Sequence, residues 1–144
     1  MKMTILLTLV LSIAAFSACQ TASTEKALDT QVNTQENAMQ NEIKQISVEQ
    51  AKNAVGAKNT QFIDVRTTEE YAGGHAPKAA NFPLDALEKD LAKLDKDQPV
   101  YVICQTGRRS QKGTEILQKA GFKNIYNING GTSAWESAGF PVDK

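Results

Sequence analysis

Four short β-prone runs separated by stretches of helical period leave this chain few folds to choose from. Phe62-Ile63-Asp64-Val65 is almost wholly apolar, and Pro99-Val100-Tyr101-Val102-Ile103 is the strongest strand signal in the sequence. Ile125-Tyr126-Asn127-Ile128 is a third run, and residues 79–82, closed by Pro83, are a weaker fourth. A run that is apolar throughout, rather than at alternate positions, belongs to a strand covered on both faces. The intervening segments change period. Ser47-Val48-Glu49-Gln50 has the Ser-x-x-Gln spacing of a capping box and predicts a helix through about Val55. Leu84, Leu87, Leu91 and Leu94 recur at helical spacing and form a core-facing stripe. Residues 110–120 read as a helix stopped by Gly121, and residues 132–138 as a last short helix after the Gly130-Gly131 turn. This alternation predicts an α/β fold of three layers, a mostly parallel central sheet with helices on both faces. In such sheets ligands lie beyond the C-terminal ends of the strands, which is where Cys104 falls.

With 144 residues the chain has enough material for one core and not for two. Sixteen Lys plus Arg offset sixteen Asp plus Glu, and no basic run interleaves with aromatics, so the electrostatic footprint of a nucleic-acid binder is missing. Two cysteines, Cys19 and Cys104, do not make a disulfide scaffold, and a single histidine, His75, argues against a zinc site.

The N-terminus reads as an address. Met1-Lys2-Met3 precedes an apolar run over residues 4–16, the length of a secretory h-region and short for a membrane span. The run ends in Phe16-Ser17-Ala18-Cys19, which resembles a bacterial lipobox whose cysteine is lipidated; Phe16 stands where Leu is usual. The competing reading is ordinary signal-peptidase cleavage after Ala15-Phe16-Ser17, releasing a soluble periplasmic or secreted protein. Residues 20–44 are rich in Thr, Gln, Asn and Ala and contain no aromatic residue. The expected organisation is a signal peptide over residues 1–18, a polar tether over 19–45 and a folded domain over 46–144, beginning near Ile46. The expected location is membrane-anchored, facing the periplasm or cell exterior.

The chemistry concentrates in Cys104-Gln105-Thr106-Gly107-Arg108-Arg109-Ser110. A strand, a Gly-containing loop and a helix start place backbone N–H groups around a concavity that favours an anion. The same dipoles favour a thiolate at Cys104. Arg109 lies inside the loop and reads as an oxyanion ligand, while Arg108 is divided between that role and solvent. The arrangement describes a nucleophilic sulfur facing a small sulfur- or phosphorus-containing anion. Four residues separate Cys104 from Arg109, and Ser110 holds the position of the arginine that tyrosine phosphatases need, so the tighter loop suits a sulfur atom bonded to Cys104 better than a phosphate tetrahedron, and a phosphatase is the distant reading.

Residues 46–142 resemble a single-domain rhodanese. Asp64-Val65-Arg66, Glu70-Tyr71 and Gly74-His75 leading to Ala80-Asn81-Phe82-Pro83 are similar to the upstream signature of that family. Cys104, Gly107, Arg109 and Ser110 match its Cys-x-x-Gly-x-Arg-Ser loop, and Gly130-Gly131-Thr132-Ser133-Ala134-Trp135 resembles its C-terminal end. Lys78 departs from the glycine usual before Ala79. The resemblance implies a sulfurtransferase in which Cys104 takes a sulfane sulfur from thiosulfate or a similar donor and passes it, as a persulfide, to cyanide or a thiol. It implies catalysis by Cys104 and substrate binding by Arg109, Arg108, Gln105, Thr106, Gly107 and Ser110, with no metal or organic cofactor needed. The alternative is a sulfur carrier or binding module that serves one protein partner without turnover.

Asp64, Arg66 and Glu70 invite an acid–base reading, but read better as supports of the loop. Arg66 and Glu70 are four apart and can pair, and Asp64 can cap the segment after its strand. His75 reads as a satisfied turn residue and Trp135 as a packing anchor for the last helix.

Overall fold

The computed structural model describes residues 42–144; the signal-peptide reading, Cys19 and the tether up to residue 41 lie outside the described residues. Eleven elements follow in order: β1 (Ile43–Ile46), α1 (Val48–Ala54), β2 (Gln61–Asp64), α2 (Thr68–Gly73), β3 (Ala80–Asn81), α3 (Leu87–Asp90), a 3-10 turn (Leu91–Lys93), β4 (Val100–Ile103), α4 (Arg108–Lys119), β5 (Ile125–Ile128) and α5 (Gly131–Ser137). The strands form one sheet in the order β1-β5-β4-β2-β3, and every neighbouring pair is parallel.

Each strand sends alternate side chains to opposite faces. Tyr101 and Ile103 of β4 pack on one side with Phe62, Val48 and Ala51 of α1, Tyr71 of α2 and Trp135 of α5. Val100 and Val102 pack on the other with Ile63, Leu87 of α3, Leu117 of α4 and Phe122. Helices therefore cover both faces, as the uninterrupted apolar runs require, and β4 at the centre is buried along its whole length.

Three boundaries differ from the sequence reading. Strand β1 starts at Ile43, so residues 43–45 belong to the folded unit and not to the tether. Ile43 alone looks too isolated to bury surface, but parallel pairing with Ile125 brings it against the second core cluster. The leucine stripe is core-facing but does not run as one helix. It divides into α3 and a 3-10 turn, with Leu84 before them and an extended Leu94 after. Helix α4 begins at Arg108 rather than Ser110, because Gly107 takes the left-handed conformation and caps it. The expected capping box at Ser47 is present, Ser47 Oγ accepting from Gln50 N–H and Gln50 Oε1 from Ser47 N–H.

Candidate active site

Strand β4 ends at Ile103, and Cys104 is the first residue past it. The turn that follows requires glycine at Gly107, where φ is +98°, a backbone conformation that strains any residue with a side chain. The loop is then tied down from outside. Thr132 N–H donates to the Cys104 carbonyl (2.8 Å) and Ser133 N–H to the Gln105 carbonyl (3.1 Å). In a trans peptide the C=O and the N–H point in opposite directions. With those two carbonyls turned toward α5, the amides of Gln105 and Thr106 face the loop interior. This approach demands Gly131, since a Cβ at that position would overlap the Cys104 carbonyl oxygen. Gln105 adds a side-chain tie, its Nε2 donating to Ser133 Oγ (3.0 Å).

The Cys104 residue is 1% exposed. Burial pushes its thiol up, but the Ser110 hydroxyl and the backbone N–H groups of Ser110, Thr106 and Gly107 outweigh it, and the net effect holds the thiol below its ordinary range. Gly107 N–H donates to Sγ at 3.1 Å. The thiol faces Ser110 Oγ at 3.5 Å, and Ser110 in turn donates to the Gly107 carbonyl at 3.0 Å. Cys104 also belongs to the second apolar cluster, and with only such neighbours its thiol would shift the opposite way.

Two arginine–carboxylate pairs flank the loop, and their partners differ from those read from sequence. Arg66 pairs with Asp64, not with Glu70. Its Nε and one terminal nitrogen bond the carboxylate at 2.7–3.0 Å, and the same terminal nitrogen reaches the Gly74 carbonyl at 2.8 Å. Asp64 also accepts from Arg66 N–H at 3.0 Å, the capping contact expected of it. Asn81 closes the cluster by donating to the Asp64 and Arg66 carbonyls. Arg66 extends toward the active loop, 3.5 Å from Gln105 Oε1. Glu70 instead accepts both terminal nitrogens of Arg109 at 2.6 and 2.7 Å. That contact holds the Glu70 carboxyl well below the usual range, at about 2. Glu70 also completes a capping box with Thr67 at the start of α2, a Thr-x-x-Glu signal that was visible in the sequence.

An open cavity of about 210 Å³ lies over the loop, lined by Gln105, Thr106, Arg108, Arg109 and Lys112. Arg109 enters it already neutralised by Glu70. Arg108 and Lys112 are exposed, and their side chains have no hydrogen bond or ion pair among the described residues. Lys112 was not singled out from sequence; its spacing of four from Arg108 was the available signal. Gly107 and Ser110 surround the sulfur and do not line the cavity. His75 stacks on Tyr71 with ring centroids 3.7 Å apart, and its backbone bridges to Asp143 at the C-terminal end. Trp135 is 2% exposed, donates to the Pro141 carbonyl and contacts Phe62 and Phe140. Among the described residues no group of three or more His, Cys, Asp or Glu is placed to hold a metal ion.

The chain is similar in sequence and fold to known proteins. The chain is 35% identical over 94 residues to the "Putative sulfur carrier protein YrkF" of Bacillus subtilis (strain 168), covering 65% of this chain and 51% of YrkF. It therefore spans about half the length of that relative. It is 34% identical to the thiosulfate sulfurtransferase GlpE of Shewanella oneidensis, over 66% of this chain and 94% of GlpE. Among solved structures, a rhodanese-like domain protein from Staphylococcus aureus superposes with a TM-score of 0.61 at 34% identity, covering 70% of this chain and 99% of that one. The rhodanese-like domain family model matches residues 47–138, from the cap of α1 to the end of α5, with the cysteine loop inside it. With a matching fold and family model, the chain belongs to the rhodanese-like domain family.

Proposed function

We propose that this protein is a sulfurtransferase that takes a sulfane sulfur from thiosulfate or a similar anionic donor and delivers it to a thiophilic acceptor through a persulfide on Cys104. The observation that carries the reading is the environment of Cys104: a thiol held below its ordinary range by amide and hydroxyl donors, at the base of a loop whose cavity is cationic. On ionisation the Ser110 hydroxyl turns from the Gly107 carbonyl to the sulfur and joins the Gly107 N–H already there.

The Cys104 thiolate attacks the terminal sulfur of thiosulfate. A new S–S bond forms on Cys104 as the S–S bond to the sulfonate sulfur breaks, and its electron pair leaves on sulfite. Charge balances, thiolate plus dianion giving persulfide anion plus sulfite dianion. The cationic cavity stabilises the sulfite as it departs, and the loop N–H groups that held the thiolate hold the terminal persulfide sulfur. Cyanide, or an acceptor thiolate, then attacks that outer sulfur and restores the Cys104 thiolate. With Cys104 only 1% exposed, the site admits a slender donor and excludes bulky electrophiles.

The test is intact mass after thiosulfate and then cyanide. The reading requires a gain of one sulfur on Cys104, lost to cyanide with thiocyanate formed over many cycles. A folded protein with a free thiol that gains nothing overturns it. The name of the Bacillus relative favours a second reading, a carrier that loads sulfur for one partner; sulfur that cyanide does not remove would select it. Cys104→Ser abolishes loading in either case.

The N-terminal motifs support export and lipidation at Cys19, with the domain tethered outside the cytoplasmic membrane and signal-peptidase release as the alternative. Cys19→Ser then moves the protein from the membrane fraction to the soluble one; an unchanged distribution counts against the anchor.

A further inference from the structure

The charges that line the cavity do not carry equal weight. Arg109, the loop arginine, spends both terminal nitrogens on Glu70. Its charge is matched, and desolvating it toward a ligand would mean breaking a bidentate pair. Arg108 and Lys112 line the same cavity and form no ion pair among the described residues. They are four apart on α4, on one face, where like charges repel by several tenths of a kcal/mol. Arg108 opens that helix, whose first turn holds no acidic residue and where the backbone dipole disfavours a cation, and Lys112 stands one turn further on. Stability alone would place a carboxylate at one of these positions. Two cations in no ion pair, one of them against its own helix dipole, walling a cavity over the loop that follows Cys104, are placed for a ligand of two negative charges.

We propose that Lys112, together with Arg108, is the anion-capturing pair of this site and sets its preference for dianionic over monoanionic sulfur donors, while Arg109 is a positioning residue that ties α4 to α2 through Glu70. The proposal rests on the sulfur-transfer reading above for the identity of the donor. Its chemistry is simple charge matching. With Glu70 and Arg109 cancelling, the cavity wall carries a charge of two, which thiosulfate and the departing sulfite match and a thiosulfonate monoanion does not. Attraction between the pair and the donor is partly screened at this exposed position.

The experiment uses the full chain in two arms. In the first, thiosulfate binding is measured calorimetrically on Cys104→Ser and on Cys104→Ser/Lys112→Gln, so that no turnover is needed. Lys112→Gln is expected to weaken binding by about 10-fold, and Lys112→Arg to restore it. Equal affinity of the two proteins overturns the proposal. In the second, KM and kcat are compared for thiosulfate and methanethiosulfonate. Lys112→Gln is expected to raise KM for thiosulfate by about 10-fold with kcat unchanged, to move KM for the monoanion by less than about 3-fold, and to flatten the salt dependence of kcat/KM for thiosulfate. Equal effects on the two donors overturn charge selection. Binding that depends on Lys112 in a protein that never takes up sulfur would sink the transfer reading and leave the anion pair standing.

Discussion

The two arginine–carboxylate pairs beside the active loop look alike on paper and do different work. Asp64–Arg66 is buried, its side chains 0% and 4% exposed, and its carboxylate accepts from a backbone N–H as well as from the guanidinium. Glu70–Arg109 is open to solvent, 36% exposed on each side. Burial makes the first pair costly to break, because the surviving charge is stranded. Solvent screens the second, so its contribution to stability is small and its effect is on where Arg109 sits and how much charge reaches the cavity. The inner pair supports the loop from below, with Asn81 and Gly74 as its other ties. The outer pair governs the charge at its mouth.

The comparison breaks most sharply at Asp64. Asp64→Asn keeps the shape and strands Arg66 without its counter-charge, and is expected to cost about 3–5 kcal/mol in urea unfolding; a loss under about 1 kcal/mol would mean that Arg66 finds solvent and that the pair is no scaffold. Next in size is Ser110→Ala. It removes the side-chain donor that helps hold the thiol down, so the pH midpoint of Cys104 alkylation is expected to move upward. An unmoved midpoint would assign the effect to the amides alone. Glu70→Gln should change stability by less than about 1 kcal/mol, since Gln still completes the capping box. It frees the charge of Arg109, and KM for thiosulfate at low salt is expected to fall about 2–3-fold; an unchanged KM would place Arg109 out of electrostatic reach of the donor.

The smallest effect is in acid. The Glu70 carboxyl is held down at about 2 in the folded chain, against roughly 4.3 unfolded. A depressed carboxyl stabilises the fold fully above its unfolded value and loses that contribution as pH falls toward the folded one. The stability difference between wild type and Glu70→Gln should therefore be flat above about pH 4.5 and shrink between there and pH 2. A difference that stays constant through that window would remove the pair from the acid response.

What was legible in the sequence was local. The buried character of β2, β4 and β5, the Ser47 cap, the glycine at the turn after Cys104 and the placement of Cys104 at a strand end all follow from spacings of a few residues. The Asp64 cap on Arg66 N–H spans two residues and was read correctly. Partner choice was not legible. Arg66 and Glu70 at helical spacing suggested each other, but Thr67 caps α2 after Arg66, so Arg66 lies outside the helix and that spacing does not bring the two side chains together. Glu70 met Arg109 from 39 positions away, because β2 and β4 are neighbours in the sheet and carry α2 and α4 to one rim. Strand β1 was hidden for the same reason, since Ile43 is core only where β5 pairs with it.

By itself, then, the sequence determined the place of Cys104 at a strand end, its loop and the alternation of elements, since capping, periodicity and turn chemistry act over one or two helical turns. Only the tertiary structure decided which charges are neutralised and which remain free at the cavity. The sheet register sets those distances, and an ion pair forms with whichever partner the register brings within reach.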